Sequence, residues 1–318
     1  MKTVIRNRSL AFESLLNDTK QLFETELKER LGLVKVSAPL FVGKDSGLND
    51  DLNGIENAVS FQLGEQVHEV VHSLAKWKRW YLGALDVPSG RGIVTDMKAI
   101  RADETISPIH SHLVDQWDWE KVISKSERTL ETLIEHGSKV FDALKHTERT
   151  IALRRGEYPV LPNEIKVLHS EDLLHMYPEL SAKEREDAAA ELYGAVLLIG
   201  IGGTLSSGEV HDLRAPDYDD WSTPDDKGRP GLNADIIVWD SVRELSLEIS
   251  SMGVRVDEEA LMHQLSLLDK EDRIKLPFHQ ALLNGELPYT IGGGIGQSRV
   301  AMFVNKKKTI QEVQPIIK

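Results

Sequence analysis

The sequence contains no cysteine, which excludes disulfides, thiolate metal sites and cysteine nucleophiles. It also lacks any uninterrupted run of the ~18–20 apolar residues that a membrane-spanning helix requires. The opening residues from Met1 to Arg8 carry basic groups but no apolar stretch and no small-residue cleavage site, so a signal peptide is not expected there. Basic charge is scarce: 38 Lys and Arg stand against 51 Asp and Glu, a formal net charge of −13. Nucleic-acid binding needs clustered cations to neutralise phosphates. The one obvious basic run, Lys306-Lys307-Lys308, is short and is expected to be a solvated face. Neither tRNA nor a membrane is therefore an expected partner. No internal repeat, low-complexity tract or long linker divides the chain. Its 318 residues are 41% hydrophobic, enough for a sizeable core, and a cytoplasmic enzyme is expected.

Hydrophobic spacing gives a coarse order of elements. Phe12, Leu15, Leu16, Leu22, Phe23, Leu27 and Leu31 repeat at helical intervals, and Gly32 should stop that helix. Leu33-Val34-Lys35-Val36 opens a strand ending near Pro39, and the polar segment from Val42 to Asn57 is expected to be a mobile loop. Glu69–His72 is a short strand leading into a helix over Ala75–Tyr81. A helical pattern runs from Val122 to Ile151, and Ser181-Ala182-Lys183-Glu184 has the form of a capping box. Strands are expected at Ala195–Ile201, Asp235–Trp239 and Leu245–Val256. Neighbouring strands with short connections, and helices grouped elsewhere, predict an α+β fold around an antiparallel sheet flanked by helices.

Alternation along a strand decides which side chains share a face. Between His112 and Glu120 it puts Gln116 and Asp118 on one side and Trp117 and Trp119 on the other. From Glu244 to Ser250 it separates Glu244, Ser246, Glu248 and Ser250 from Leu245, Leu247 and Ile249, and Asn233 and Asp235 also share a face. Any one such strand suggests only a solvated sheet face. Three together suggest a polar cleft, in which Asp235 and Glu248 are candidates for holding Mg²⁺ against substrate phosphates. The run Ile291-Gly292-Gly293-Gly294-Ile295-Gly296-Gln297-Ser298-Arg299 predicts a Gly-rich turn entering a helix, a form that admits a ligand to the backbone. It lacks the Gly-Lys-[Ser/Thr] ending of a P-loop. Arg101, at a strand end, is a candidate phosphate clamp.

Taken together, these pieces resemble class II aminoacyl-tRNA synthetases. Leu31–Leu40 is similar to their motif 1, Arg101–Glu104 with His110–Glu120 to motif 2, and Gly292–Arg299 to motif 3. A closer resemblance is to the aspartate–ammonia ligase family. It is carried by His72–Arg79, Val114–Glu120, Arg214–Pro224, Ser250-Ser251-Met252-Gly253 and Gly292–Arg299. The resemblance implies a single synthetase-like catalytic domain over residues 1–318, a homodimer formed around motif 1, and ATP and Mg²⁺ as cofactors. It implies that L-aspartate is adenylated to β-aspartyl-AMP with release of pyrophosphate, and that ammonia then displaces AMP.

It also implies roles for particular residues. Arg101, Gln116 and Arg299 would be catalytic. Asp50, Lys78, Gln116, Asp118, Arg214, Asp219, Ser251, Gly292 and Gly294 would surround the substrate. His72, Arg101, Glu104, Ser111, Asp235, Glu248 and Arg299 would serve the nucleotide, with Asp235 and Glu248 on the metal. Arg214 or Arg299 would hold a carboxylate, and Asp219 or Asp50 would face an ammonium group. Register against Leu52 and Gly54 favours Asp50 over Asp51.

The competing class is a synthetase-like ligase acting on tRNA or on a protein. An aspartyl-tRNA synthetase carries a five-stranded anticodon-binding barrel ahead of motif 1, and the first helix uses the ~30 residues present there. A paralogue that only binds ligands would be expected to lose Arg101, Arg299, Asp235 or Glu248, all of which are present. Releasing ammonia from glutamine would require a nucleophilic cysteine. The purified protein is therefore predicted to form asparagine with ammonium and not with glutamine; efficient turnover with glutamine in place of ammonium would refute this.

Overall fold

The computed structural model describes residues 8–50, 52 and 56–315, so Asp51 and Gly54 lie outside the described residues. Helix α1 (Leu10–Leu31) starts at Ser9, whose hydroxyl accepts the Phe12 N–H, and ends at Gly32 with φ +70°. The chain continues through β1 (Leu33–Lys35), β2 (Phe41–Gly43), β3 (Ser60–Leu63), β4 (Gln66–Val70) and α2 (Ala75–Ala84). Next come β5 (Gly92–Ile100), β6 (Leu113–Val122), α3 (Leu130–Arg154), β7 (Lys166–His169), α4 (Ser170–Met176) and α5 (Ala182–Tyr193). The remainder is β8 (Ala195–Ile199), β9 (Asn233–Asp240), β10 (Leu245–Val254), α6 (Glu258–Leu267), α7 (Pro277–Leu283), β11 (Thr290–Gly296) and α8 (Gln297–Val304).

Eight strands form one sheet in the order β1-β5-β6-β11-β10-β9-β8-β7, and β2-β4-β3 form a small separate sheet. The six central strands of the large sheet are antiparallel, as expected. The edge pairs β1·β5 and β7·β8 are parallel, so the sheet is mixed. Parallel neighbours need long crossovers. One is supplied by α4 and α5, the other by the small sheet and α2.

One face of the large sheet holds the main core. Trp117 and Trp119 of β6, Leu247 and Met252 of β10, and Ile291 and Ile295 of β11 pack there against Phe23 and Leu27 of α1, Val140 and Leu144 of α3, and Val300 and Ala301 of α8. The other face is covered in two places. Leu74 and Trp77, at the start of α2, pack on Met97 and Ala99 of β5. Ala189 and Ala190 of α5 pack on Val196, Leu198 and Ile237. The middle strands are left open on this face and form the floor of a cleft.

Several elements differ from expectation. The helical pattern from Val122 is divided: Val122 ends β6, Ile123 packs in the core, and α3 begins only at Leu130, capped by Thr129. The segment from Val42 to Asn57 opens in a strand and a 3₁₀ turn, Lys44–Ser46, and its Asp50 is buried. The expected Gly-rich turn is the central strand β11, running directly into α8. Alternation along β10 holds only as far as Ile249. Glu248 pairs with Ile237 and Ser250 with Ile236, so one residue is inserted as a bulge. Beyond it the faces exchange: Met252 and Val254 enter the core, while Ser251, not Ser250, joins Glu248 on the cleft side. The capping box at Ser181 forms as expected and starts α5.

Candidate active site

The floor of the cleft consists of cross-strand rows. Asp118, Gly294, Ser251 and Asp235 are neighbours across β6, β11, β10 and β9. The next row is Glu120, Gly292, Gly253 and Asn233, and Gly296 pairs with Gln116 on the other side. In each row the middle positions carry little or no side chain, and neighbouring polar groups lie across them. A Cβ on Gly292 would overlap Glu120 Oε2 and stand 2.6 Å from Arg255 Nη2. On Gly294 it would stand 2.5 Å from Gln116 Oε1, and on Gly253 2.5 Å from Asp219 Oδ1. The glycines of β11 thus make room first for the protein's own side chains. The space above Gly292 is filled by Glu120 and Arg255.

These side chains form a buried charge network. Lys78, fully enclosed, ion-pairs with Asp118, sits 3.5 Å from Glu120 and donates to the Trp119 carbonyl at 2.8 Å. Arg255 grips Glu120 through two parallel bonds of 2.9 and 2.7 Å and reaches Asp219 with its remaining nitrogen. Burial pushes the Glu120 carboxyl up, but Arg255 and Lys78 outweigh it and hold the group below its ordinary value. For Asp219 burial prevails over Arg255 and Arg214, and its carboxyl is raised. Asp118 and Asp219 line the cleft, while Lys78 and Glu120 lie beneath it.

The segment from Arg214 to Pro224 forms one wall, and each of its acids has a different anchor. Asp217 is buried among Lys76, Arg273 and His279, each at 3.0 Å. Asp219 meets Arg255, and Asp220 meets Arg128 at 2.6 Å while accepting the Thr223 N–H. With the backbone fixed in this way, Arg214 and Tyr218 face the cleft. Arg214 is paired with Asp212 at 2.7 Å and with Asp235.

The opposite end of the cleft is rich in guanidinium. Arg101, just beyond β5, and Arg299, in the first turn of α8, both line it, together with His72, Glu104, Ser111 and Glu248. Arg299 donates to the Glu248 carbonyl at 2.9 Å. Desolvation at the cleft raises the Glu248 carboxyl, but Arg299, Arg214 and Arg101 together hold it below its usual range. Asp235 is lifted to about 7 by burial, opposed by Arg214 and reinforced by Glu248. Its Oδ1 is buried with no hydrogen-bond partner. The whole cleft encloses about 510 Å³.

Of the expected site residues, Gln116, Ser251 and Gly294 also line this cleft. Lys78, Asp235 and Gly292 lie behind its surface. Asp50 is buried outside the lining: its side chain accepts the Leu52 N–H at 2.9 Å, and its carbonyl faces His72 Nδ1 at 3.1 Å. Sequence reasoning missed Arg255 and did not assign Glu120 a role in the site. The alternation of β6 already put Glu120 beside Asp118. Arg255, just past the end of β10, had no comparable signal.

The sequence pattern of the aspartate–ammonia ligase family matches residues 11–317. The chain belongs to the aspartate–ammonia ligase family. An aspartate–ammonia ligase of Parabacteroides distasonis is 51% identical over 302 residues, covering 94% of this chain and 88% of that protein. Among solved structures, the asparaginyl-tRNA synthetase of Entamoeba histolytica in complex with asparaginyl-adenylate is similar, with a TM-score of 0.67 at 12% identity over 96% of this chain and 67% of that one. The Pyrococcus horikoshii asparaginyl-tRNA synthetase complexed with asparaginyl-adenylate also has a TM-score of 0.67, at 13% identity over 96% of this chain and 68% of that one. At such identities the likeness shows the fold, that of a class II synthetase core. As a member of its family the chain is an ATP-dependent ligase, and no helix among the described residues is long and apolar enough to cross a membrane.

In this ligase Gly292→Ala should separate Glu120 from Arg255 and cost about 1–3 kcal/mol or more of stability, the usual range for overpacking. Gly43→Ala, where a Cβ meets nothing within 4 Å, should be near neutral. Equal denaturation midpoints for the two variants would refute the role given to Gly292.

Proposed function

We propose that the chain makes L-asparagine from L-aspartate and ammonia, driven by ATP through β-aspartyl-AMP. The observation that carries this reading is a cleft of opposed polarity in a member of this family. At one end Arg101 and Arg299 provide guanidinium groups suited to phosphate. At the other, the buried network sets three carboxylates, Asp118, Glu120 and Asp219, against two cations, Lys78 and Arg255. Asp118 and Asp219, the carboxylates of that network that line the cleft, suit the α-ammonium group of aspartate and incoming ammonium. Arg214, beside this network, suits the α-carboxylate.

With aspartate held in this direction its β-carboxylate points toward the phosphates. A β-carboxylate oxygen attacks the α-phosphorus, and the bond from that phosphorus to pyrophosphate breaks. Arg101 and Arg299 offset the charge that develops, and the Gln116 amide, lying over Gly294, donates to the same region. Once ammonium has lost a proton, the ammonia nitrogen bonds to the β-carbonyl carbon, the bond to the AMP oxygen breaks, and the nitrogen gives a second proton to solvent to leave the neutral amide. His72, Glu104 and Ser111 border the nucleotide. Asp50, whose charge also acts on Tyr218 of the Arg214–Pro224 wall, is assigned to the amine side of this arrangement. Val34 and Leu40, both more than half exposed near the sheet edge, are apolar groups that a second copy of the chain would cover in a homodimer.

Asp235 and Glu248 fit a Mg²⁺ site. Both offer oxygen, they stand on adjacent strands, and the bare Asp235 Oδ1 together with that group's raised affinity for a proton suits a nearby cation. Two carboxylates leave coordination positions for phosphate oxygens and water. Bound there, the ion would neutralise phosphate charge.

With aspartate, ATP, Mg²⁺ and ammonium, AMP, pyrophosphate and asparagine should appear in equal amounts; formation of ADP and phosphate would overturn adenylation. Asp235→Asn and Glu248→Gln should keep their thermal midpoints within a few degrees while activity falls and the Mg²⁺ requirement rises. Unchanged activity and Mg²⁺ dependence in both variants would remove these residues from the metal site.

A further inference from the structure

Asp115 contradicts the pattern of its own strand. Alternation puts it on the same face of β6 as Trp117 and Trp119, where a carboxylate requires partners to offset desolvation. It has them on two other elements. Oδ1 accepts the Ser298 N–H at 3.0 Å and the Ser298 hydroxyl at 2.5 Å, and Oδ2 meets Lys20 of α1 at 2.9 Å. The residue before α8 is Gly296, which has no side chain to cap the helix. The cap is supplied instead by a neighbouring strand, and the negative charge also suits the helix N-terminus. Arg299 is the next residue. Its stem folds back over Gly296, and its guanidinium reaches the Glu248 carbonyl at the cleft. Gln297 gives the same turn a second tie, donating to Asp96 at 2.8 Å.

We propose that Asp115 is the positioning residue for Arg299, fixing the first turn of α8 to the strand that carries Gln116 and Asp118. The inference rests on the function proposed above, in which Arg299 stabilises charge on ATP. Asp115 borders the cleft, but both of its oxygens are engaged, by Ser298 and by Lys20. It registers the arginine of one motif against the strand of another, so that both address the same phosphate.

The test is aspartate-dependent exchange of labelled pyrophosphate into ATP, with thermal midpoints measured in parallel. Asp115→Ala should raise the KM for ATP and lower exchange, together by roughly ten- to hundred-fold, with the KM for aspartate nearly unchanged. Asp115→Asn keeps an oxygen acceptor for Ser298 and should restore most of the loss. Ser298→Ala should be intermediate, and Lys20→Met near wild type. Arg299→Ala alone should cost about 10²–10³ in rate. Adding Asp115→Ala to it should then cost less than about two-fold, because the second change acts through a side chain already removed. Independent multiplication of the two losses, an equal rise in both KM values, or full activity in Asp115→Ala would overturn the inference. Should Asp115→Ala fail to fold, the same comparisons apply to Ser298→Ala. Absence of exchange in the wild type would overturn the proposed function and this inference with it; exchange in the wild type with the wrong variant pattern overturns the inference alone.

Discussion

The site depends on one steric constraint: β11 can carry no side chain on its cleft face. Glu120 and Arg255 meet across Gly292, and Gln116 lies over Gly294. Buried ion pairs are useful only when their geometry is close enough to offset the loss of water. A single Cβ on this strand would force the partners apart and leave desolvated charges incompletely paired. The small residues of β10 extend the same hollow, since Gly253 gives space to Asp219 and Ser251 continues the row from Gly294. The floor is low because the network must be compact, and a low floor is what leaves volume above it.

The sheet separates stability from chemistry by face, and two local devices keep the faces distinct. On β6 simple alternation is sufficient: tryptophans pack against α1 and α3, while Gln116, Asp118 and Glu120 face the other way. On β10 alternation alone would bury Ser250 among polar neighbours and set Ser251 in the core. The bulge reverses the order, and Ser251 reaches the cleft while Met252 and Val254 complete the apolar layer. The arginines lie at ends of elements, Arg101 after β5, Arg255 after β10 and Arg299 at the start of α8. Long cationic side chains can reach inward from those positions without interrupting a strand.

What could be read in advance follows from the range of each interaction. The faces of β6, the stop at Gly32 and the cap at Ser181 depend on a few adjacent residues, and all three appear as expected. The bulge at Ile249 and Ser250 is invisible to periodicity, because an inserted residue is recognised only against the partner strand. Parallel edges were hidden for a similar reason, since β1 and β7 are short and their direction is set by crossovers. The glycines of β11 suggested a turn because glycine is rare inside strands. Their reason lies in Glu120 and Arg255, residues remote in sequence. Asp115 is the clearest case: its role is legible only once α8 and α1 are packed beside it.

Charge along the cleft joins these features into a direction. Asp118, Glu120 and Asp219 converge with Lys78 and Arg255 at the end proposed for the amine, and Asp118 and Asp219 are the carboxylates of this group that line the cleft. At the other end Arg101 and Arg299 stand among lining carboxylates that include Glu104, Asp115 and Glu248, of which Asp115 is already paired with Lys20 and Ser298. A molecule with an ammonium group at one end and a carboxylate at the other is oriented by that gradient before any particular contact forms. Reversing it would set the ammonium group against guanidinium and the carboxylate against the acidic network, two repulsions in a poorly solvated space. Under the proposed reaction, the polarity that selects aspartate also turns its β-carboxylate toward the α-phosphate. Recognition and alignment for adenylation thus arise from the same buried ions.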